Sequence, residues 1–349
     1  MAVTSDTSPR GAPARGAADS RARREAGLSG VRRFLTLREG SIVVVTVIAI
    51  IYFATSNSRF FTGTNFKTLL PYFAPYAIMA AGQVFVMITG EIDLSIGAMY
   101  LFCPFIWEKF HGLGTIPGMI LAILVCCLIG AFNGFAVAVV GISSFVTTLG
   151  VLFAIDGLTL VISHSTPINT PGVTVLGNST FERIFGGGTY SELIWAIGIV
   201  IILQLLLSFT RWGIYTVSVG GNRLGASEAG IRTRLVLIRN FVMCAGLAAF
   251  VGVLEAVRTT TATPDPSGSN DILFQVISAA VIGGTLLQGG SGTVVGALIG
   301  ALFLGILHDG LIINSVNANY LDLYLGIAIL IAMAINTYVS RVRTGSGRG

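Results

Sequence analysis

Two carboxylates interrupt an apolar stretch at Thr89-Gly90-Glu91-Ile92-Asp93-Leu94-Ser95-Ile96-Gly97, with Gly82 and Gln83 a short way upstream. Asp93 or Ser95 is placed to cap a following helix, where a side-chain oxygen accepts amide protons that hydrocarbon cannot. A backbone interruption at membrane depth persists only when it is buried in protein or faces water. Two readings follow, and they are compatible: a broken helix lining a polar path, or a tight turn at the cytoplasmic interface.

A second informative stretch is rich in glycine: Ala280-Val281-Ile282-Gly283-Gly284-Thr285, then Gly289-Gly290-Ser291-Gly292-Thr293, Gly296 and Gly300. Small residues let backbones touch in a bilayer, so this pattern suits close helix approach and a flexible bend. A phosphate-cradling Walker loop needs Gly-Lys-Ser/Thr, and the only lysines, Lys67 and Lys109, lack that context. The chain is therefore not expected to hydrolyse ATP. Between residues 219 and 235, Gly220-Gly221-Asn222-Arg223 and Ala226-Ser227-Glu228-Ala229-Gly230-Ile231 place helix formers between glycines. This reads as a short helix outside the bilayer, with a solvated basic loop as the rival.

The remaining ionisable residues near apolar runs are Asp156, Glu255, His308, Asp309 and Asp322; charge inside a membrane is costly and hints at function. Glu255 and Arg258, three apart, are spaced to pair on one helix. Neighbouring His308 and Asp309 read as a hydrogen-bonded packing pair near the outer boundary, with a proton relay as the alternative. Cys103, Cys126, Cys127 and Cys244 fall inside apolar runs without metal-site or disulfide spacing and read as packing residues. No Ser/His/Asp or Cys/His arrangement carries the local cues of a hydrolase. Neither a catalytic nor a metal site is expected.

The elements that must hold these residues are set by composition. Of 349 residues, 53% are hydrophobic and 11% charged, against about 25% charged in a soluble domain. The expected fold is an all-α polytopic membrane protein with about ten transmembrane helices, near 41–55, 69–89, 93–107, 115–140, 144–163, 193–210, 236–257, 272–288, 292–312 and 320–339. Spans 2–5 and 7–10 form two groups of opposite starting direction, a possible inverted repeat. Residues 1–40 read as a disordered basic cytoplasmic tail, 41–340 as the membrane domain and 341–349 as a cytoplasmic C-terminal tail. A cleaved signal peptide or twin-arginine signal is disfavoured by the long polar lead and by the spans that follow.

With both termini cytoplasmic, the inner segments hold Arg10, Arg15, Arg21, Arg23, Arg24, Arg32, Arg33 and Arg38, then Arg211, Arg223, Arg232, Arg234 and Arg239, then Arg341, Arg343 and Arg348. Only Arg59, Lys67, Lys109, Arg183 and Arg258 fall outside, as the positive-inside rule requires. The formal charge of +5 is thus accounted for by loops, and nucleic-acid binding is not expected. The largest outer loop runs from His164 to Glu192, and Pro264 and Pro266 mark the next.

Gly90, Ile92, Asp93, Leu94, Ser95 and Gly97 match the Gly-x-Ile-Asp-Leu-Ser-x-Gly motif of the ribose-type permeases of ABC importers, which this chain resembles. Asn133-Gly134, Ser144-Phe145-Val146-Thr147-Thr148-Leu149-Gly150 and the late glycine stretch are similar to further family segments, over about residues 60 to 338. The resemblance implies a permease subunit of the bacterial cytoplasmic (inner) membrane that translocates a monosaccharide or related neutral polyol. It implies two copies, or one copy with a homologous permease, two cytoplasmic ABC ATPase subunits that bind the ATP and Mg, and an extracytoplasmic sugar-binding protein. No cofactor is expected on this chain. The 219–235 segment then becomes the coupling helix, with Gly221, Asn222, Arg223, Ser227, Glu228 and Gly230 meeting the ATPase. Gln83, Asn133, Thr147, Thr148 and Gln275 are candidates for the solute pathway, with Gly90, Asp93, Ser95 and Gly284 at helix breaks; the same polar residues also glue helices together. The alternatives are a proton-coupled secondary transporter using Asp93, Asp156 or Asp309, and a same-architecture importer for amino acids or nucleosides.

Overall fold

The computed structural model describes residues 40–171, 173, 179–188 and 190–345. The expected N-terminal tail, apart from Gly40, and the last four residues of the expected C-terminal tail lie outside the described residues. The described residues are largely helical, with one two-residue ribbon among them. The long helices are α1 (Gly40–Ser56), α2 (Gly63–Ile88), α3 (Ile96–Phe110), α4 (Thr115–Phe135), α5 (Ser144–Ser163) and, after the short α6 (Thr180–Ile184), α7 (Ser191–Phe209). Two short helices follow, α8 (Arg211–Gly221) and α9 (Arg223–Glu228), and then α10 (Thr233–Thr259), α11 (Pro266–Ile282), α12 (Val294–Ile313) and α13 (Leu321–Gly345).

Six of the described helices are long and apolar enough to cross a membrane: α2, α4 with its extension to Val140, α5, α7, α10 and α12. At 15 and 17 residues, α3 and α11 are about 22 and 26 Å long, short of a ~30 Å hydrocarbon core. Each starts beside the other: a Cβ on Gly97, in the first turn of α3, would stand 2.1 Å from the Ser269 carbonyl oxygen in the first turn of α11.

α2 and α10 form the centre. Nearly every residue of α2 from Phe73 to Ile88 is buried, and Gly82 lets Cys244 and Leu247 of α10 lie against it. α4 reaches α10 through glycines. Cβ atoms on Gly130 and Gly134 would come within 2.7 Å of Phe241 O and 2.6 Å of Ile238 Cα, so this seam is closed by missing side chains. Away from it α4 exposes Ile120, Leu124, Leu128 and Phe132, and α7 exposes Ile194, Ile201, Ile202 and Leu205, the apolar outer face a helix shows to lipid.

Several boundaries differ from the sequence reading: α2 starts at Gly63, six residues before the expected 69, and α3 runs three residues later than 93–107. The helix expected over 272–288 is α11, Pro266–Ile282, because Pro266 supplies a favourable first turn and Gly284, at φ +96°, turns the chain out of the helix. The single coupling helix expected within 219–235 is instead α8 and α9, divided at Asn222, while Thr233 already begins α10. α13 continues through 340 to Gly345.

The described part of the 164–192 loop contains a strand and a short helix. Ile168–Asn169 (β1) pairs antiparallel with Thr261–Ala262 (β2), and Thr170 Oγ1 donates to Ala256 O at 2.5 Å. α6 carries a capping box between Ser179 and Glu182.

Candidate functional site

The interruption after α2 is a knot of buried hydrogen bonds. Gly90 adopts φ +80°, which turns the chain back toward the core. Asp93 Oδ1 then accepts from the Ser95 amide at 2.9 Å and the Ser95 hydroxyl at 2.6 Å. Asp93 thus caps the start of α3; Ser95 occupies the N-cap position without capping, because its hydroxyl proton goes to Asp93. Asn133 Nδ2, on α4, donates to Ser95 Oγ at 2.9 Å. From α5, Thr148 Oγ1 accepts from the Leu94 amide at 3.0 Å and Ser144 Oγ from the Ile92 amide at 3.3 Å.

Asp93, Ser95, Asn133 and Thr148 are all 0% exposed. In this conformation they fasten three helices around a turn and line no open path. Gln83, also fully buried, accepts from Cys244 Sγ at 3.3 Å. Thr147 and Gln275 are half-buried; Gln275, on α11, and Gly284, in the following turn, stand apart from the knot.

The second assembly lies where α2 ends. The Ile88 carbonyl accepts from Gly290 N at 2.7 Å, and a Cβ on Gly220 of α8 would stand 1.7 Å from the same oxygen. A Cβ on Gly289 would fall 2.7 Å from Gly90 N. The end of α2, the end of α8 and the 283–293 turn are therefore in backbone contact, which only glycine permits. Arg223 Nη1 adds a 3.0 Å ion pair to Glu91 Oε1. Deeper in, Trp212 Nε1 of α8 donates to Asn240 Oδ1 of α10 at 2.7 Å, and Asn240 Nδ2 donates to Phe85 O of α2 at 3.0 Å. Arg239 covers the Trp212 ring, 4.8 Å from its centroid.

On the other side of α8 and α9 the surface is open. Gly221, Asn222, Arg223, Ser227, Glu228 and Gly230 are exposed, as is Leu224 at 71%. Asn222 Oδ1 caps α9 through the Gly225 amide at 2.9 Å, and Gly230, at φ +82°, ends the segment. Sequence reasoning found the exposed residues but missed Trp212, Arg239 and Asn240, whose partners are 24 to 155 positions away in the chain.

Gln204 was also missed. Its Oε1 accepts from the Val294 and Val295 amides at 2.9 and 3.1 Å, so a side chain of α7 caps α12 where lipid could not.

At the ribbon end, Arg258 Nη2 donates to Glu255 Oε1, as the spacing predicts, and Arg258 Nε also lies 3.3 Å from Glu192 Oε1 of α7. Beside this cluster is a cavity of 380 Å³ lined by Lys67, Thr68, Pro71, Tyr72, Pro75, Tyr76, Met79, Tyr100, Glu255, Arg258 and Ile272. His308 and Asp309 do not pair. Asp309 Oδ2 accepts from Asn65 Nδ2 at 2.8 Å, and the His308 ring lies against Tyr72 with centroids 4.4 Å apart, because neighbours on a helix point in different directions. Asp156 receives the Ser269 hydroxyl at 3.3 Å, tying α5 to α11.

A family model described as "Branched-chain amino acid transport system / permease component" matches residues 65–334. The chain is 35% identical over 327 residues to the xylose/arabinose import permease protein of Sulfolobus acidocaldarius, covering 90% of this chain and 88% of that protein. It is 31% identical over 314 residues to the ribose import permease protein of Escherichia coli, with 87% and 96% covered, and 33% identical over 303 residues to that of Bacillus subtilis, with 85% and 90% covered. No solved structure matches the chain at a significant level. The exposed two-helix segment locked onto α2, the Asp93 turn and these similarities lead to one conclusion: the chain belongs to the branched-chain amino acid transport system / permease component family, as a ribose-type ABC importer permease.

Proposed function

We propose that the chain is the membrane-spanning subunit of an ABC importer for a pentose or related neutral sugar, and that separate ATPase subunits drive it through α8 and α9. The observation that carries the reading is the glycine junction. One face of α8–α9 is open to a partner, while the other touches the Ile88 carbonyl and the 283–293 turn. A push on α9 therefore reaches the end of the most buried helix without a compliant side chain in between.

The same reading orients α8–α9 and both termini toward the cytoplasm, which agrees with the arginine distribution, and counts ten spans by including α1, α3, α11 and α13. It also takes α2–α5 and α10–α13 as an inverted repeat. The support is that α12 packs along α2 and α10 along α4, which is the exchange a two-fold relation requires, and that the two short helices α3 and α11 start side by side. A second copy, two ATPase subunits and an extracytoplasmic sugar-binding protein complete the proposed assembly. Since switching between states follows from differential binding of ATP and partners, the permease itself needs little sugar affinity.

The test is a cross-link from the α9 surface. In membranes that co-express the cognate ATPase, Leu224→Cys should couple to it through a short thiol-reactive reagent, and a cysteine at Thr166, at the ribbon end, should not. Equal coupling from both positions, or none from Leu224→Cys, removes α9 as the docking element.

A further inference from the structure

We infer that the 380 Å³ cavity beside Glu255 and Arg258 is a resting site for a neutral polyhydroxyl solute of aldopentose size. The inference rests on the importer reading above and adds where the sugar sits. The volume lies within the range of small-molecule pockets, about 300–1,000 Å³. Along α2 the lining runs from Lys67 to Met79, roughly 18 Å at the rise of an α-helix. A second cavity of 240 Å³, beside the crossing of α3 and α11, shares Tyr100, Glu255 and Ile272 with it.

The lining has what a sugar ring needs. Tyr72, Tyr76 and Tyr100 present phenol groups that both donate and accept, on rings whose faces suit the C–H side of a pyranose or furanose. Pro71 and Pro75 lie four apart inside α2. Having no N–H, they leave the carbonyls of Lys67 and Pro71 without their ordinary helical donors. Both carbonyls belong to cavity-lining residues, so they are acceptors available to hydroxyls at a depth where water would otherwise be required.

The electrostatics decide the class of solute. Arg258 is held by two carboxylates, Glu255 on its own helix and Glu192 from α7, and Glu192 is 5% exposed. The two glutamates engage the Nε and Nη2 groups of the Arg258 guanidinium. A solute carboxylate would meet Glu255 and a guanidinium already shared with two glutamates, while the other cation of the lining, Lys67, is exposed. Hydroxyls, which donate to carboxylate oxygens, are welcome there. Glu192 is a positioning residue, since it touches Arg258 and is not part of the cavity wall.

The experiment uses the full-length permease in proteoliposomes with Ile272→Cys, a half-buried lining position, reacted with a small water-soluble thiol reagent over the background of the unsubstituted chain. D-Ribose, D-xylose and L-arabinose are titrated as protectants, with L-leucine as the carboxylate-bearing comparison. At least one sugar is expected to slow labelling in a saturable manner and leucine is not. Adding Tyr76→Phe or Tyr100→Phe should each raise the sugar concentration for half-protection about fivefold, the equivalent of one hydrogen bond, while labelling without sugar stays at its original rate and so reports an intact fold. Protection by leucine equal to that by sugar, no protection by any sugar, or protection unchanged in both phenylalanine variants overturns the site. ATP-driven sugar uptake with the ATPase and binding protein is measured in parallel. Uptake without protection overturns the cavity alone, whereas no uptake by the complete system overturns the importer reading.

Discussion

Replacing Gly220 with alanine should uncouple ATP hydrolysis from uptake. A Cβ at this position would stand 1.7 Å from Ile88 O and 2.7 Å from Gly290 N. Both neighbours are backbone atoms, so no side chain can swing aside. Restoring even 3.0 Å to the oxygen means moving the end of α8 from α2 by more than an ångström. The Ile88 carbonyl also accepts from Gly290 N at 2.7 Å, so the displacement strains the 283–293 turn as well. Overpacking of this kind costs about 1–3 kcal/mol. Because the contact joins the end of α8, directly before α9, to the end of α2, we expect about 2 kcal/mol of that to appear as lost coupling, roughly thirtyfold in sugar transported per ATP.

The assay is paired uptake and ATP hydrolysis in proteoliposomes with the ATPase and binding protein, with thermal unfolding in detergent as the control for folding. Gly221→Ala, whose Cβ would meet nothing within 4 Å, is the matched comparison and should behave as the unsubstituted chain. If Gly220→Ala and even Gly220→Val keep the normal uptake per ATP, the glycine junction does not carry the coupling and the reasoning fails.

Glu228→Arg reverses charge on the exposed face of α9 and should weaken ATPase assembly in a pull-down, while stability stays within about 0.5 kcal/mol as for ordinary surface changes. Asp93→Ala strips the acceptor from the Ser95 amide and hydroxyl and should destabilise the protein by about 1–3 kcal/mol, read as a lower Tm in detergent; Asp93→Asn, which keeps one acceptor oxygen, should lose less. Gln204→Leu removes the cap from two amides of α12 and should cost about 1–2 kcal/mol, with faster amide exchange confined to the first turn of that helix.

Long apolar runs reveal helices because hydrocarbon leaves the backbone few other ways to satisfy its hydrogen bonds, and α4, α5, α7, α10 and α12 lie within a few residues of where hydropathy places them. The Asp93-Leu94-Ser95 turn was legible too, since a carboxylate two positions before an amide is a local arrangement that spacing alone encodes. α11 was misplaced by six residues because Leu286 and Leu287 continue its apolar run past Gly284, whose left-handed backbone ends the helix through bonds from the Gly284 and Thr285 amides to Val281 O and Ala280 O.

The cavity was not legible at all. Its Tyr76, Tyr100, Glu255 and Ile272 come from four helices, and none of these residues alone differs from an ordinary packing side chain. Glu192 is a comparable case. In sequence it ends a loop; in the structure it stands beside Arg258, 66 positions further on. The seam between α2 and α8 lies between these extremes. The glycines were conspicuous, but that Gly220 rests on Ile88 depends on how three segments meet.

The most direct measurement is uptake of labelled D-ribose, D-xylose and L-arabinose into proteoliposomes containing this chain, with and without the ATPase and the binding protein, under ATP and under a proton gradient. Accumulation of one of these sugars only when ATP and both partners are present is the predicted result. Accumulation by the chain alone, driven by the gradient, would contradict it.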